Sequence, residues 1–297
     1  MTGGARTLLL MAVGVAAVSL SGPLMAAMVV PPLAISFWRT GFATIGLAPG
    51  VTLRRRHEVR TVRGPMLRLV TASGVALAVH FGTWVTSLTL TSVSSATALV
   101  CLQIAWVVAW QLVRGQRFGR GVVLGLVVAF TGVLVVSGVD LHLSTRALVG
   151  DVLALVGGVA AAAYMVIGAR ARQAVSTTTY TFVCYGTCAL VLLVACVVSG
   201  QALGGYPAGQ WALLVVVTAT SQLMGHSAFN HLLATTPTVV VSLALLLEVP
   251  GASVLAALLL GQVPPLAAMV GLAVILVGTA LVVLGGSPVI GRDRDGH

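Results

Sequence analysis

The sequence predicts an all-α, polytopic membrane protein: ten transmembrane helices arranged as two inverted five-helix repeats, both termini cytoplasmic. Three observations carry that prediction. The 297 residues are 58% hydrophobic and only 7% charged, with a mean hydropathy of +1.08, a composition foreign to soluble domains. The second half repeats the first at a constant offset of 146 residues: His80 falls on His226, Gly115-Gln116 on Gly261-Gln262, Gly125-Leu126 on Gly271-Leu272 and Gly132 on Gly278. Finally, 14 of the 16 arginines gather in connections on one side of the bilayer.

Charges and turn formers divide the chain into apolar segments at approximately 7–28, 33–53, 67–89, 93–113, 119–138, 148–169, 179–199, 210–232, 237–260 and 265–284. Each approaches the ~20 residues needed to cross the hydrocarbon core. The first follows Arg6; Arg6 and the small pair Ala26-Ala27 resemble a signal peptide, but the run is long enough to span and the repeat needs it, so it reads as a retained helix. Pro31-Pro32, Pro65, Pro207, Pro237 and Pro264-Pro265 mark segment boundaries. The period-two alternation of a membrane barrel is absent. The repeat divides the chain into units 1–142 and 143–297, the second ending in a short cytoplasmic tail.

With the N-terminus inside, the cytoplasmic connections receive Arg6, the group from Arg54 to Arg68, then Arg114, Arg117, Arg120, Arg170, Arg172, Arg292 and Arg294; only Arg146 falls outside. The positive-inside rule therefore fixes the orientation. Five spans per unit is an odd number, so the second unit must enter upside down. The connection Arg114-Gly115-Gln116-Arg117 is basic, while its mate Leu260-Gly261-Gln262-Val263 is uncharged, as opposite faces require. An inverted repeat in a membrane protein is the usual construction of a secondary transporter.

Small residues suggest close helix packing on the fifth span (Gly121, Gly125, Gly132) and the tenth (Ala267, Gly271, Gly278), as scaffold or as a homodimer contact. The net charge of +10 comes entirely from arginine, set in short connections where topology and lipid headgroups explain it without nucleic acid. Cys101, Cys184, Cys188 and Cys196 lie in apolar segments and read as small core residues, with no metal site. No His-Glu-x-x-His, Asp-rich or Walker motif occurs, so neither an enzyme nor a cofactor is expected.

Ionisable side chains inside a membrane are costly and face a cavity or a partner. Glu248 lies roughly 16 Å along the ninth span at 1.5 Å per residue. It either meets a cationic substrate group or a proton, or bonds to a neighbouring helix or to Arg39. Arg39, near the outer end of the second span, either snorkels outward or grips a substrate carboxylate with two bonds. His80 and His226 are repeat mates, as are Trp84 and Asn230 one turn beyond, so His80 shares a helix face with Trp84, and His226 with Asn230. Imidazole titrates near neutral pH and suits proton coupling. Gln103, at the repeat position of Val249, and Tyr164 complete the candidate lining. Trp106 and Trp110 read as packing or interface anchors, and Tyr180, Tyr185 and Gln222 as further lining without support from the repeat.

Several strings resemble the drug/metabolite transporter superfamily, in particular its ten-helix EamA-type exporters: Pro32 with Phe37, Arg39 and Gly41-Phe42-Ala43; Gly150-Asp151-Val152-Leu153-Ala154-Leu155 before Tyr164; and Glu248-Val249-Pro250 with Leu258-Leu259-Leu260-Gly261-Gln262. The resemblance spans the whole chain. It departs where relatives carry Glu-Pro and then Gly-Glu: here Pro250 is displaced by one position, and the end-of-helix acids are Gln116 and Gln262. The resemblance implies export of a small metabolite, amino acid or toxic compound across the inner membrane by alternating access. Proton antiport is the leading coupling; an exchanger or facilitator is the second. A different class, an intramembrane enzyme acting on a lipid or prenyl substrate, would have to use Asp140, His142 and Asp151 at the outer surface.

Overall fold

A computed structural model describes residues 3–138 and 144–284. Asp140, His142, Arg292 and Arg294 lie outside the described residues. The described chain is helical throughout, in rods α1 (Gly4–Ala26), α2 (Pro32–Gly50), α3 (Gly64–Ser87), α4 (Val93–Val113), α5 (Arg120–Gly138), α6 (Thr145–Ala171), α7 (Thr177–Ser199), α8 (Ala208–Leu232), α9 (Thr238–Leu260) and α10 (Leu266–Leu284). Seven of these are long and apolar enough to cross a membrane: α1, α3, α4, α6, α7, α8 and α9. Shorter apolar stretches occupy α5 and α10. A π-helical turn, Val51–Arg55, carries α2 into a short helix, Arg56–Thr61.

The helix neighbours respect the repeat. α3 packs on α6, and their mates α8 and α1 pack on each other; α3 packs on α7, as α8 does on α2. The pairs α2–α7, α4–α9 and α5–α10 join each helix to its own mate. The α5–α10 contact shows why the glycines recur. A Cβ at Gly132 would lie 2.6 Å from the carbonyl oxygen of Gly271 and 2.7 Å from the amide nitrogen of Ile275. One at Gly278 would strike the backbone of Ala129, the repeat mate of Ile275. Gly125 and Gly271 are buried beside them, whereas Gly121 is half-buried and Ala267 exposed. The contact line begins instead at the mates Val122 and Ala268, 2% and 3% exposed. The small-residue stripe is thus spent inside the chain, which favours scaffold over dimer contact.

The Gly-Gln mates have a local cause. Gly115 and Gly261 close α4 and α9 with φ of 81° and 67°, a conformation strained for any residue with a Cβ. Each turn folds the next amide back, Gln116 N–H to Gln111 O and Gln262 N–H to Ala256 O.

Two interruptions depart from the uninterrupted spans that the hydropathy predicts. α4 is broken at Leu102, between Val93–Cys101 and Gln103–Val113. α9 is broken at Leu246-Leu247, between Thr238–Leu245 and Glu248–Leu260. The breaks fall within two residues of matching repeat positions, since the mate of Leu102 is Glu248. In α9 the cause is Pro250, which has no N–H for the carbonyl of Leu246 and crowds it; Val249 N–H bonds that carbonyl instead, at 3.2 Å. α4 has no proline there. The breaks meet: Cys101 Sγ lies 3.5 Å from Leu245 O. α8 departs too, widening into a π-helix over Thr218–His226, a form enriched at functional sites.

Candidate functional site

α3, α4, α6, α8 and α9 surround one cavity, and closely approaching glycines help to bring them together, with α1 packed behind α8. A Cβ at Gly157 would come within 3.2 Å of Trp84 Cβ, and one at Gly158 within 2.9 Å of Val100 O. A Cβ at Gly225 would meet Val18 at 2.7 Å. These positions let α6 lie against α3 and α4, and the π-helical part of α8 against α1.

The cavity is lined by His80, Trp84, Gln103, Tyr164, His226, Asn230 and Glu248, closed by apolar side chains such as Val100, Met165 and Phe229. Seven of the eight predicted binding residues therefore converge; Arg39 does not reach the lining. Gln103 and Glu248 get there because each begins the second half of a broken helix. The space open to water centres is about 40 Å³, room for a few waters by the usual measure of one per 10–15 Å³.

His80 Nδ1 lies 3.0 Å from Gly157 O, and its ring stacks on Trp84 at 5.6 Å and 9°. The His226 ring is 6.5 Å from that of His80, 6.3 Å from Tyr164 and edge-on to Phe81 at 5.2 Å. Tyr164 donates to Asn230 Oδ1 at 2.7 Å, and Asn230 Nδ2 donates to Tyr185 at 3.2 Å. The carboxyl of Glu248, 7% exposed, has no hydrogen-bond partner among the described residues, and no ion pair joins it to Arg39. The buried indole N–H of Trp84 also lacks a partner among the described residues. The cavity thus presents the Glu248 carboxyl, the Trp84 indole N–H, the Gln103 amide and two imidazoles to whatever enters.

Snorkelling of Arg39 is overturned: its side chain is fully buried. Its Nε donates to Gln222 Oε1 at 3.0 Å and Nη1 to Ser21 Oγ at 3.1 Å, while the guanidinium sits 4.1 Å over the Phe81 ring. It turns inward because α8 supplies Gln222 at the depth where α2 places the arginine. Arg39 thus stands behind Phe81, one ring removed from His226, with Nη2 and Gln222 Nε2 buried and unpartnered among the described residues.

Gln222, Tyr180 and Tyr185 are buried but line the network behind the cavity, not the cavity itself; Tyr180 is 2.6 Å from Ser73 Oγ. Trp106 and Trp110 are each 47% exposed on the outer surface, as anchors would be. Asp151, 5% exposed, stands in α6 away from the cavity lining. The four cysteines are free and buried.

Outside the apolar rods, Glu58 accepts from Ser176 N at 2.6 Å, Ser176 Oγ at 2.7 Å and Thr179 Oγ1 at 2.9 Å, capping the start of α7. Nearby, Arg172 donates to Asn230 O at 2.9 Å, to Thr177 Oγ1 at 2.7 Å and to Val175 O. Sequence reasoning missed both, because each joins segments far apart in the chain and neither belongs to the repeat.

Residues 5–138, and again 148–284, match the EamA-like transporter family. No curated protein matches the chain by sequence. Among solved structures, one crystal structure is similar at a TM-score of 0.72 over 94% of this chain and 97% of that one, with 18% identity, a likeness of fold.

Proposed function

The chain belongs to the EamA-like transporter family, and from that premise we propose that it is a secondary active exporter of a small metabolite, amino acid or toxic compound bearing a cationic or amino group. The observation that carries this reading is Glu248: a carboxyl at a helix break, facing a cavity, with no hydrogen-bond partner for its oxygens among the described residues. Broken helices lining a midplane cavity are how transporters assemble substrate sites. His80, His226, Asn230, Trp84, Gln103 and Tyr164 form the rest of the binding surface, and Arg39 sets its field from behind Phe81.

In this reading all ten rods cross the inner membrane with both termini cytoplasmic, and the units 1–142 and 143–297 are inverted copies that rock about the cavity. The helix pairing, which survives exchange of mates, supports the inversion. A proton gradient drives the cycle, with Glu248 holding either a proton or the substrate cation.

Proteoliposomes holding the purified protein test this. Efflux of amine-bearing candidates should follow an imposed pH gradient, and Glu248→Gln should abolish the coupling. Flux indifferent to collapse of the gradient makes the protein an exchanger or facilitator. Flux unchanged by Glu248→Gln removes Glu248 from the site. Membrane-impermeant thiol labelling of cysteines placed in 54–63 and at Arg146 reads the orientation; a reactive 54–63 on the outer face defeats it.

A further inference from the structure

A second, larger concavity opens on the flank of the bundle, between α4 and α5. Its volume is about 660 Å³, in the range of ligand pockets. The break at Leu102 makes it. α5 packs on the first half of α4, Val93–Cys101, and beyond the break the walls of α4 and α5 stand apart. The walls are apolar, with Ala105, Val108 and Ala109 on one side and Val123, Leu126 and Val127 on the other. Val123 and Val127 are 49% and 58% exposed, so the crevice opens sideways toward the hydrocarbon. Leu102 and Leu246, the break residues of α4 and α9, also line it.

The mouth differs from the walls. Gln116 and Arg117 line it, and Arg114 and Arg120 stand exposed beside it. Among the described residues no acidic side chain lines the crevice. The repeat mates of these arginines are Leu260, Val263 and Leu266, and the mate glutamine Gln262 is already spent, accepting from Val93 N at 3.3 Å. The basic mouth is therefore peculiar to one copy of the repeat.

We propose that this crevice binds one anionic phospholipid, its phosphate held by Arg117 with Arg114 and Arg120, and an acyl chain lying between α4 and α5 against Leu102 and Leu246. An apolar slot at membrane depth matches an acyl chain, and a cluster of three cations at the membrane boundary matches an anionic headgroup. The chain end then touches the two breaks that place Gln103 and Glu248, so lipid occupancy bears on the cavity through its hinges.

Native mass spectrometry of the full chain, offered equal phosphatidylglycerol and phosphatidylcholine of the same acyl chains, tests the proposal. One phosphatidylglycerol should be retained per chain, with a preference on the order of fivefold for each arginine engaged. Arg117→Gln should keep lipid but lower the preference by about fivefold. Val127→Trp should fill the slot and lose both lipids; Ala109→Phe serves the same purpose if the first variant does not fold. Glycerol phosphate alone should not compete, which separates a lipid from a free phosphate. Undiminished lipid in folded slot-filled variants, a full preference in the variant lacking all three arginines, or a lipid-free dimer covering this face would overturn it.

Discussion

Glu58 and Tyr164 carry single-residue bonds whose removal has a calculable sign. Burial pushes the Glu58 carboxyl upward, but the donors from Ser176 and Thr179, and then Arg55, outweigh it and hold its pKa below the ordinary 4.5. A carboxyl depressed in the folded state adds stability that is present above its unfolded pKa and is lost as pH falls through the folded one. The thermal midpoint of the wild-type protein in detergent should therefore drop as the pH goes below about 4.5, while Glu58→Ala, with no carboxylate there, should show a shallower slope. At neutral pH Glu58→Ala should cost about 1 kcal/mol, the net worth of part-buried hydrogen bonds whose donors water can reach; identical slopes for the two proteins would discard the cap. Tyr164 is tested differently. Tyr164→Phe leaves the buried Asn230 Oδ1 without its donor, again about 1–3 kcal/mol. Because both groups belong to one network, the double variant Tyr164→Phe with Asn230→Ala should fall short of the sum of the two by at least about 0.5 kcal/mol. Strict additivity in thermal unfolding would mean that the bond carries no stability.

Between helices, backbone proximity decides the outcome. Gly132→Leu and Gly278→Leu should each wedge α5 from α10, since the new Cβ meets backbone atoms that cannot rotate away. Overpacking usually costs about 1–3 kcal/mol, and here it belongs at the upper end or beyond. Neither helix lines the cavity, so flux per folded molecule should hold while the melting temperature falls; equal losses in both readouts would place α5 and α10 in the transport machinery. These glycines were legible in the sequence because a close approach between repeat mates imposes the same residue twice. The converging residues of the cavity were legible for a related reason: His80, His226, Trp84 and Asn230 are too polar for a lipid-facing helix and sit on matching turns. The breaks and the π-helix were not. Pro250 marks one break, but the break at Leu102 lies in an unremarkable apolar run, and a wider helical turn needs no residue of its own. Arg39 misled because nothing near it in sequence could pair with it; Gln222 and Ser21 reach it only once α8 and α1 are packed.

For the whole molecule, the small cavity sets a constraint. Room for a few waters is too little for an amino acid or a larger metabolite, so transport requires the helices around the cavity to part toward one face and then the other. If the two repeats rock about the cavity as proposed, the end where Glu58 caps α7 is among the parts that move, because it ties residues of the first repeat to residues of the second across 118 positions of chain. Cysteines at Glu58 and Ser176, joined by a short bifunctional thiosulfonate, should hold that end shut. The native cysteines are buried, which keeps background reaction low. Flux should fall with the fraction of cross-linked chains and return on reduction, whereas substrate binding measured from the opposite face should survive. Both single-cysteine variants should transport after the same treatment. Full flux from fully cross-linked protein would mean that this end stays closed throughout the cycle, and rocking of the two repeats about the cavity would have to give way to a local gate on the other side.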